Sequence, residues 1–524
     1  MSDPGTRPMP YSPPSDPSVP MAYAWPLSAA AGDEVTVHAR GPAGKAPLEV
    51  ARVGAERVVV YTAEVSVEPR ELAPDADAVG CDWPVTAAFT VAPDWPSGYY
   101  EITVGLPDGT EAVAFVVVRA AAPDPTRPLL VLSTNTWNAY NDIAGTNLYT
   151  GGTQMSFRRP VASGFLRKPP GPGFRVTVVD APDPRMRTHV RHIREHGLSA
   201  WSGSAGWPSW ELPFVRWAEG QGIGIDYAVN ADLELVPDLL DGRHLYLSVG
   251  HDEYWSWGMR DAVEGFVEAG GNAAFLSGNV SFWQVRLEDD GRTMVGYKDR
   301  ARHDPVYGTD RQHLLTSIWS DPLIGRPESS MSLMSFTRGG YHRIGMSAGN
   351  GAGGYTVHRP DHWLFEGTDT YRGDLLGASG IAVGYECDGC ELQLADGVPE
   401  PTYADGTPPG TVVLATAPAS HFTRTTAPRG VPDGRLSEVE GLAQTLYGSH
   451  DADTARRLEN GHAVFAVRDG EGGRGTVVAT GSTDWAWGLA AADPAIEQIT
   501  RNLSPVWAEG APNHRSLRRP PARR

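Results

Sequence analysis

One stretch constrains the fold of this chain more than any other: HLYLSVGHDEYWSWGMRDAVEGFVEAGGNAAFLSGN, His244 to Asn279. It opens with His244 to Val249, an apolar run of buried-strand length that stops at Gly250. His251, Asp252, Glu253 and Tyr254 follow at once, so four ionisable side chains crowd a strand-to-helix turn. Met259, Val263, Phe266 and Val267 then recur at helical spacing, ended by Gly270 and Gly271. A second apolar strand, Ala273 to Leu276, runs into Ser277, Gly278 and Asn279. The pattern predicts a β-α-β unit with polar residues at the carboxyl ends of both strands, where open parallel sheets place their ligands.

The flanking sequence extends this unit. Leu129 to Ser133 reads as a strand leading into TNTWNAYND, Phe174 to Val179 as another ending in Asp180, and Ile223 to Tyr227 as a third ending at Asn230 and Asp232. Helical spacing lies between them, at Arg185 to Gly197 and Trp210 to Gly220. Strands alternating with helices predict a doubly wound parallel sheet, an α/β fold whose last two strands come from the opening stretch. Upstream, residues 21–122 change to a period of two, with strands at Glu34 to His38, Arg57 to Thr62, Ala87 to Val91, Tyr99 to Val104 and Ala112 to Val118. Turn signals separate them, and the reading is a small Ig-like β-sandwich without an ionisable cluster, a scaffold joined through a linker at 123–128. The α/β domain, 129–505, carries a β-rich extension over about 290–430, with short runs at Ser332 to Phe336, Gly354 to His358 and Ile381 to Tyr385. Leu436 to Tyr447 and Ala492 to Leu503 read as helices, and Gly475 to Thr480 as a strand. Residues 1–20, rich in Pro, Ser and Asp, are expected to be disordered. The Arg-rich segment 506–524 is expected to be a solvated basic tail.

Several function classes are disfavoured. At 524 residues, with 41% hydrophobic and 20% charged side chains, the chain is globular and should divide into more than one domain. A net charge of −19 argues against nucleic acid or an anionic membrane surface as partner. Neither a spanning apolar run nor a signal-peptide pattern is present, and three cysteines fit a reducing compartment, so a cytoplasmic location is expected. Cys387 and Cys390 form a C-x-x-C pair without two further ligands at zinc-site spacing, and read as bland thiols. No dinucleotide fingerprint, Walker loop or H-E-x-x-H helix occurs.

The strand ends nevertheless collect chemistry. Tyr140 and Tyr149 follow the first strand, His251 and Glu253 a middle one, and Asn279 the next. Phenolate and carboxylate oxygens are hard donors that favour a highly charged cation such as ferric iron, and such a cation would pull the phenol pKa well below about 10. Each residue also has a plain structural explanation. A tyrosine near a strand end commonly tethers its hydroxyl to backbone, and His251 or Glu253 could serve the start of the following helix. Trp201, Trp207, Trp210, Trp255, Trp257 and Trp283 suit either a pocket wall or core. On residues alone, both readings stand.

Five ordered segments carry a resemblance: TNTWNAYND (134–142), TNLYTGG with SFRRP (146–160), GHDEYWS (250–256), SGNVSFW (277–283) and HWLFEG through GYECDG (362–389). Together they resemble the large (beta) subunit of N,N-dimethylformamidase and its relatives. The resemblance implies a flavodoxin-like, class I glutamine-amidotransferase-like catalytic domain holding a mononuclear non-haem iron, Fe(III), through two tyrosines and a glutamate. Carried over by motif, the ligands would be Tyr140, Tyr149 and Glu253. Glu386 would be the acid/base group, with Glu366 as second choice, and His251 and Asn279 would line the pocket. Asp252 stands where the family's turn leads one to expect Pro.

The implied activity is hydrolysis of the C–N bond of a small formamide or related amide, the ferric ion acting as Lewis acid on carbonyl or water. Partners would be the small amide, a small helical subunit and further copies of the chain. Two other classes remain open: a non-catalytic binding or assembly protein with a degenerate site, and a non-haem iron oxidoreductase.

Overall fold

The computed structural model describes residues 16–503 except 107, 170–190, 343–350, 428–430 and 432–433. Residues 1–15, the strand expected at Phe174 to Val179 with Asp180, the start of the helix expected at Arg185 to Gly197 and the basic tail therefore lie outside the described residues. Residues 191–195 of that helix are helical.

Before residue 120 the chain lays down β1 (Met21–Trp25), β2 (Ser28–Ala29), β3 (Glu34–Arg40), β4 (Gly44–Val53), β5 (Arg57–Val67), β6 (Ala87–Thr90), β7 (Gly98–Gly105) and β8 (Glu111–Val118). One sheet runs β1-β3-β6 and the other β2-β8-β7-β4-β5. Val35, Val37, Leu48, Val50, Ile102, Val104 and Val116 share one core between them, so the alternating apolar residues of both sheets face each other. β4 opens at Gly44, and its strand signal is interrupted by Pro47. β4 pairs with β7 only from Leu48 to Arg52, so Pro47 sits just beyond that ladder. β7 is buried along nearly its whole length, because its second face is covered by the other half of the molecule. There Tyr99 stacks on Trp207 at 4.3 Å, and Glu101 accepts two 2.6 Å bonds from Arg167.

After residue 128 the strands are β9 (Leu129–Leu132), β10 (Gln154–Ser156), β11 (Asp226–Val229), β12 (Leu245–His251), β13 (Tyr254–Ser256), β14 (Asn272–Gly278), β15 (Trp283–Glu288), β16 (Thr293–Val295) and β17 (Ser335–Tyr341). They continue as β18 (Tyr355–Val357), β19 (Leu375–Leu376), β20 (Glu386–Gly389), β21 (Leu392–Ala395), β22 (Val398–Pro401), β23 (Val412–Ser420), β24 (Asn460–Arg468) and β25 (Val477–Ala479). β11, β9, β12, β14 and β25 lie side by side and are all parallel. By order of appearance this is 2-1-3-4-5, so the winding reverses at β9 and a crevice opens at the carboxyl ends of β9 and β12. Alternate residues serve opposite faces. Leu130, Leu132, Leu247 and Val249 pack with Trp210 and Phe214, while Leu129, Val131 and Tyr246 pack with Met259 and Val263.

Two expectations need correction. The opening stretch does not supply the last strands of the parallel array, because β25 fills the free edge of β14 with Ala273 opposite Val477. Nor is the β-rich segment an appendage, since β24, β23, β17 and β20 continue the same sheet antiparallel. This continuation brings β20 back to the site. The Glu386 carbonyl lies 2.5 Å from where a Cβ on Gly278 would sit, so glycine is required there, and Thr483 N donates to that carbonyl at 3.1 Å. A third departure is local: the HDEY turn contains β13, which pairs parallel with β15 before the helix Trp257–Glu268 begins. That helix is capped by Ser256, whose hydroxyl accepts from Met259 N. Among the described residues, no helix is long and apolar enough to cross a membrane.

Candidate active site

β9 ends in Ser133 and feeds the helix Thr134–Tyr140, every residue of which is buried. Tyr140 is its last residue. The chain then loops back through Asn147, whose side chain donates to the Tyr140 carbonyl at 3.0 Å and accepts from the backbone N–H of Tyr149 at 2.9 Å. This Asn brings two tyrosines nine positions apart onto one point. Glu253, past the end of β12, is fixed by its own N–H donating to Thr136 Oγ1 at 2.9 Å.

The three oxygens converge. Tyr140 OH donates to Glu253 Oε2 at 2.9 Å, Tyr149 OH lies 2.8 Å from Glu253 Oε1, and the two phenol oxygens are 2.6 Å apart. Beside them, His251 Nε2 lies 3.3 Å from Glu253 Oε2 and 2.7 Å from Glu386 Oε2, ion-pair contacts off the line of a hydrogen bond. Asn279, at a left-handed φ of 52°, donates from Nδ2 to Glu386 Oε2 at 3.0 Å, while its Oδ1 is buried without a partner among the described residues. The other ring nitrogen of His251 is 2.7 Å from the Ser204 carbonyl, which assigns the Nδ1 proton by its partner. Asp252 does not face this cluster. It accepts from Ser248 Oγ at 2.8 Å and Asn230 Nδ2 at 3.1 Å, holding the turn from beneath, and burial lifts its pKa to about 6.

The electrostatics oppose one another within a few ångströms. Burial, reinforced by Glu253, holds the phenols of Tyr140 and Tyr149 well above their ordinary range. Burial alone would lower the His251 pKa, but Glu386 and Glu253 raise it well above its usual value. Burial raises Glu386, whereas Glu253 is brought down against burial by His251, Lys298 and Tyr149. The two carboxylates are thus pushed apart, Glu386 upward, toward the range where a carboxyl can take up and return a proton, and Glu253 toward permanent charge.

Lys298 was not visible in the sequence reading. It is buried at a left-handed φ of 54°; its Nζ donates to Tyr254 OH at 2.9 Å and lies 3.1 Å from the centre of the Tyr149 ring and 4.8 Å from that of Trp283. Burial lowers its pKa to about 8. It lies in the irregular GYKDR segment after β16, where no periodicity marks it. Tyr385 was also missed; its hydroxyl is 3.3 Å from His251 Nδ1.

Of the tryptophans, Trp201 stacks against Tyr149 at 5.2 Å, Trp210 meets His251 edge-on and Trp283 underlies Lys298, so these three line the site. Trp207 belongs to the seam with the sandwich, while Trp255 and Trp257 pack on Tyr246 and Trp319. Glu366 is exposed beside helix Pro494–Asn502, its carbonyl accepting from Asn502, and the fold does not bring it to the cluster. Cys81, Cys387 and Cys390 are free and buried. No three His, Cys, Asp or Glu side chains among the described residues converge as a metal cluster. The donor set at the crevice differs in kind, with two phenols and one carboxylate, which suits a hard cation rather than zinc.

The profile of the family described as "N,N-dimethylformamidase beta subunit-like, C-terminal" matches residues 47–500. The chain belongs to this family. The N,N-dimethylformamidase beta subunit of Alcaligenes sp is 24% identical over 425 residues, covering 74% of this chain and 50% of that one. The beta subunit of the same name from Paracoccus aminophilus is 26% identical over 323 residues, covering 56% and 36%. The chain thus spans half or less of the length of these curated relatives. Among solved structures, the sporulation control protein Spo0M from Bacillus subtilis matches 20% of the chain at 14% identity and a TM-score of 0.14, a likeness too small to carry an argument.

Proposed function

We propose that this chain is the catalytic chain of an amidohydrolase acting on the C–N bond of a small formamide or related amide, with ferric iron held by Tyr140, Tyr149 and Glu253. The observation that carries the reading is the convergence of those three side chains within 2.6–3.0 Å, immediately beside the His251–Glu386–Asn279 group. Bound there, the ion would supply Lewis acidity to the substrate carbonyl and to water, and charge that lets the two phenols ionise. Three anionic oxygens disfavour reduction, which supports hydrolysis over redox cycling.

The chain's own residues do the rest. Glu386 accepts the proton of the attacking water as its oxygen adds to the carbonyl carbon. His251, held in orientation by the Ser204 carbonyl, carries positive charge beside the developing oxyanion. Asn279 fixes Glu386 through Nδ2 and keeps Oδ1 available to a substrate or water hydrogen. Glu386 then returns its proton to the departing nitrogen, the C–N bond breaks, and a carboxylic acid and an amine leave. Tyr140, Tyr149, Trp201 and Tyr385 wall the space with aromatic rings, which excludes bulk water and favours a small substrate. The sheet order 2-1-3-4-5 supports the flavodoxin-like, glutamine-amidotransferase-like reading of the α/β half. The designation of both relatives as beta subunits supports assembly with a second kind of subunit.

The test is metal analysis of protein purified without chelators, combined with formamide turnover. One iron per chain, a visible phenolate-to-iron band and oxygen-independent release of amine are expected. Tyr149→Phe should bleach the band and lower turnover by about 100-fold or more. Stoichiometric zinc, or turnover that survives complete removal of iron, would sink the proposal.

A further inference from the structure

A second site lies outside the catalytic cluster. A cavity of about 30 Å³ opens at the seam between the sandwich and the α/β half. Tyr23 and Phe115 line it from the sandwich, while Thr134, Trp137, Asn141 and Arg159 line it from the other side. A water needs roughly 10–15 Å³ of such space, so there is room for about two to three water-sized groups.

Its polar wall is unusual. Arg159 is 2% exposed, and its guanidinium donates only to neutral acceptors: Ser156 O at 2.9 Å, Asn141 O at 3.0 Å, Asn138 O at 3.1 Å and Asn138 Oδ1 at 2.9 Å. No carboxylate of a described residue pairs with it; Asp77 and Asp142 act on it only at a distance. The carbonyls at the end of helix Thr134–Tyr140 offset part of the charge. A fully buried cation without a counterion nevertheless carries a desolvation penalty that a bound anion would relieve. On the same wall, Thr134 Oγ1 is buried with no hydrogen-bond partner among the described residues, which is the condition of a hydroxyl awaiting an acceptor. The remaining lining is apolar and aromatic, as in small-ligand sites at domain interfaces.

We infer that this seam cavity binds one small monoanion, a halide or a formate-sized carboxylate, using the Arg159 charge and the Thr134 hydroxyl. The inference does not depend on the proposed catalytic activity, since it uses none of the same side chains. An occupant would neutralise Arg159, satisfy Thr134 and fill space directly beneath the helix that ends in Tyr140.

The test is thermal unfolding of the full chain at constant ionic strength, with chloride, bromide or formate exchanged for gluconate, which is too large to enter. A saturable upward shift of the melting midpoint, about 2–4 °C at a hundredfold excess over Kd, is expected with at least one of the small anions. Response to halides alone identifies a halide site, and response to formate alone a carboxylate site. Thr134→Val should weaken the apparent affinity about tenfold, and Val161→Phe, which puts a ring into the lining of the cavity from the seam side, should abolish the shift. No difference between the small anions and gluconate would overturn the inference, as would an unchanged saturable shift in a folded Val161→Phe protein. In crystals grown with bromide, an anomalous peak between Arg159 and Thr134 supports it, and bromide peaks only elsewhere would refute it.

Discussion

Lys298 presents the sharpest case at the scale of single residues. An ammonium buried against the faces of Tyr149 and Trp283, with the Tyr254 hydroxyl as its hydrogen-bond acceptor, is expensive to retain unless its charge is used. Lys298→Met keeps most of the stem and removes only the charge. It should lower kcat about 10–100-fold while leaving the melting temperature unchanged or slightly raised. Lys298→Arg should not restore activity, because the planar guanidinium does not fit the space of a compact ammonium. Steady-state kinetics set beside a thermal melt checks this, and a mutant with wild-type kcat would remove Lys298 from the machinery. The same residue marks the limit of what is legible in sequence. Glu253, His251 and Asn279 stand at strand ends, where topology alone makes polar residues suspect, and Glu386 was reached through the family resemblance. Lys298 owes its place to a left-handed backbone turn in an irregular segment, and neither periodicity nor composition records that.

At the scale of elements, β20 is the piece that completes the site. It presents Glu386 and, two residues on and therefore on the same side of the strand, Asp388. Asp388 Oδ2 accepts from Val280 N at 3.0 Å, which holds the left-handed Asn279 turn against Glu386. Burial raises the Asp388 pKa to about 8 from an ordinary 3.8. The folded state therefore binds more protons than the unfolded state between pH 4 and pH 8. By linkage, this group's contribution to stability is fully present below about pH 4 and is lost as pH rises through 8. Asp388→Asn keeps an acceptor for Val280 and carries no titrating proton. It should flatten the decline of the urea midpoint across that window, whereas a decline equal to wild type would place the titration elsewhere. Strand and helix periods gave β9, β12, β14 and β25, and the helices Glu211–Gly220 and Trp257–Glu268, within a few residues, but not the short helix Thr134–Tyr140 that follows β9. They did not give the joining of β20 to the parallel array, because that depends on antiparallel pairings far apart in sequence and on Gly278 leaving open the space that the Glu386 carbonyl approaches, where a Cβ would lie only 2.5 Å from it.

The whole molecule depends on the seam between its halves. Reading the sandwich as a scaffold with no chemistry understates its position, because Phe115 packs on Trp137 at 5.3 Å, inside the helix that ends in Tyr140. Tyr99 stacks on Trp207, Arg167 grips Glu101, and Arg52 pairs with Glu219 at 2.5 Å across the same boundary. One continuous apolar cluster includes Tyr99 and Phe115 from the sandwich together with Trp137, Tyr140 and Trp207. Separate domains would show two melting steps, but a shared core predicts one cooperative transition for the full chain. Chain beginning at residue 128 would expose Trp137 and Trp207 to water and leave the Tyr140 helix without its floor. It should bind a hydrophobic dye, lose near-ultraviolet circular dichroism, and melt at least about 10 °C lower or without a cooperative step. On the proposed ferric site, iron uptake should fall with the structure, since Tyr140 is then no longer held against Glu253. A truncated protein that melts sharply near the full-length midpoint and loads iron one-to-one would mean that the seam is only a contact between independent domains.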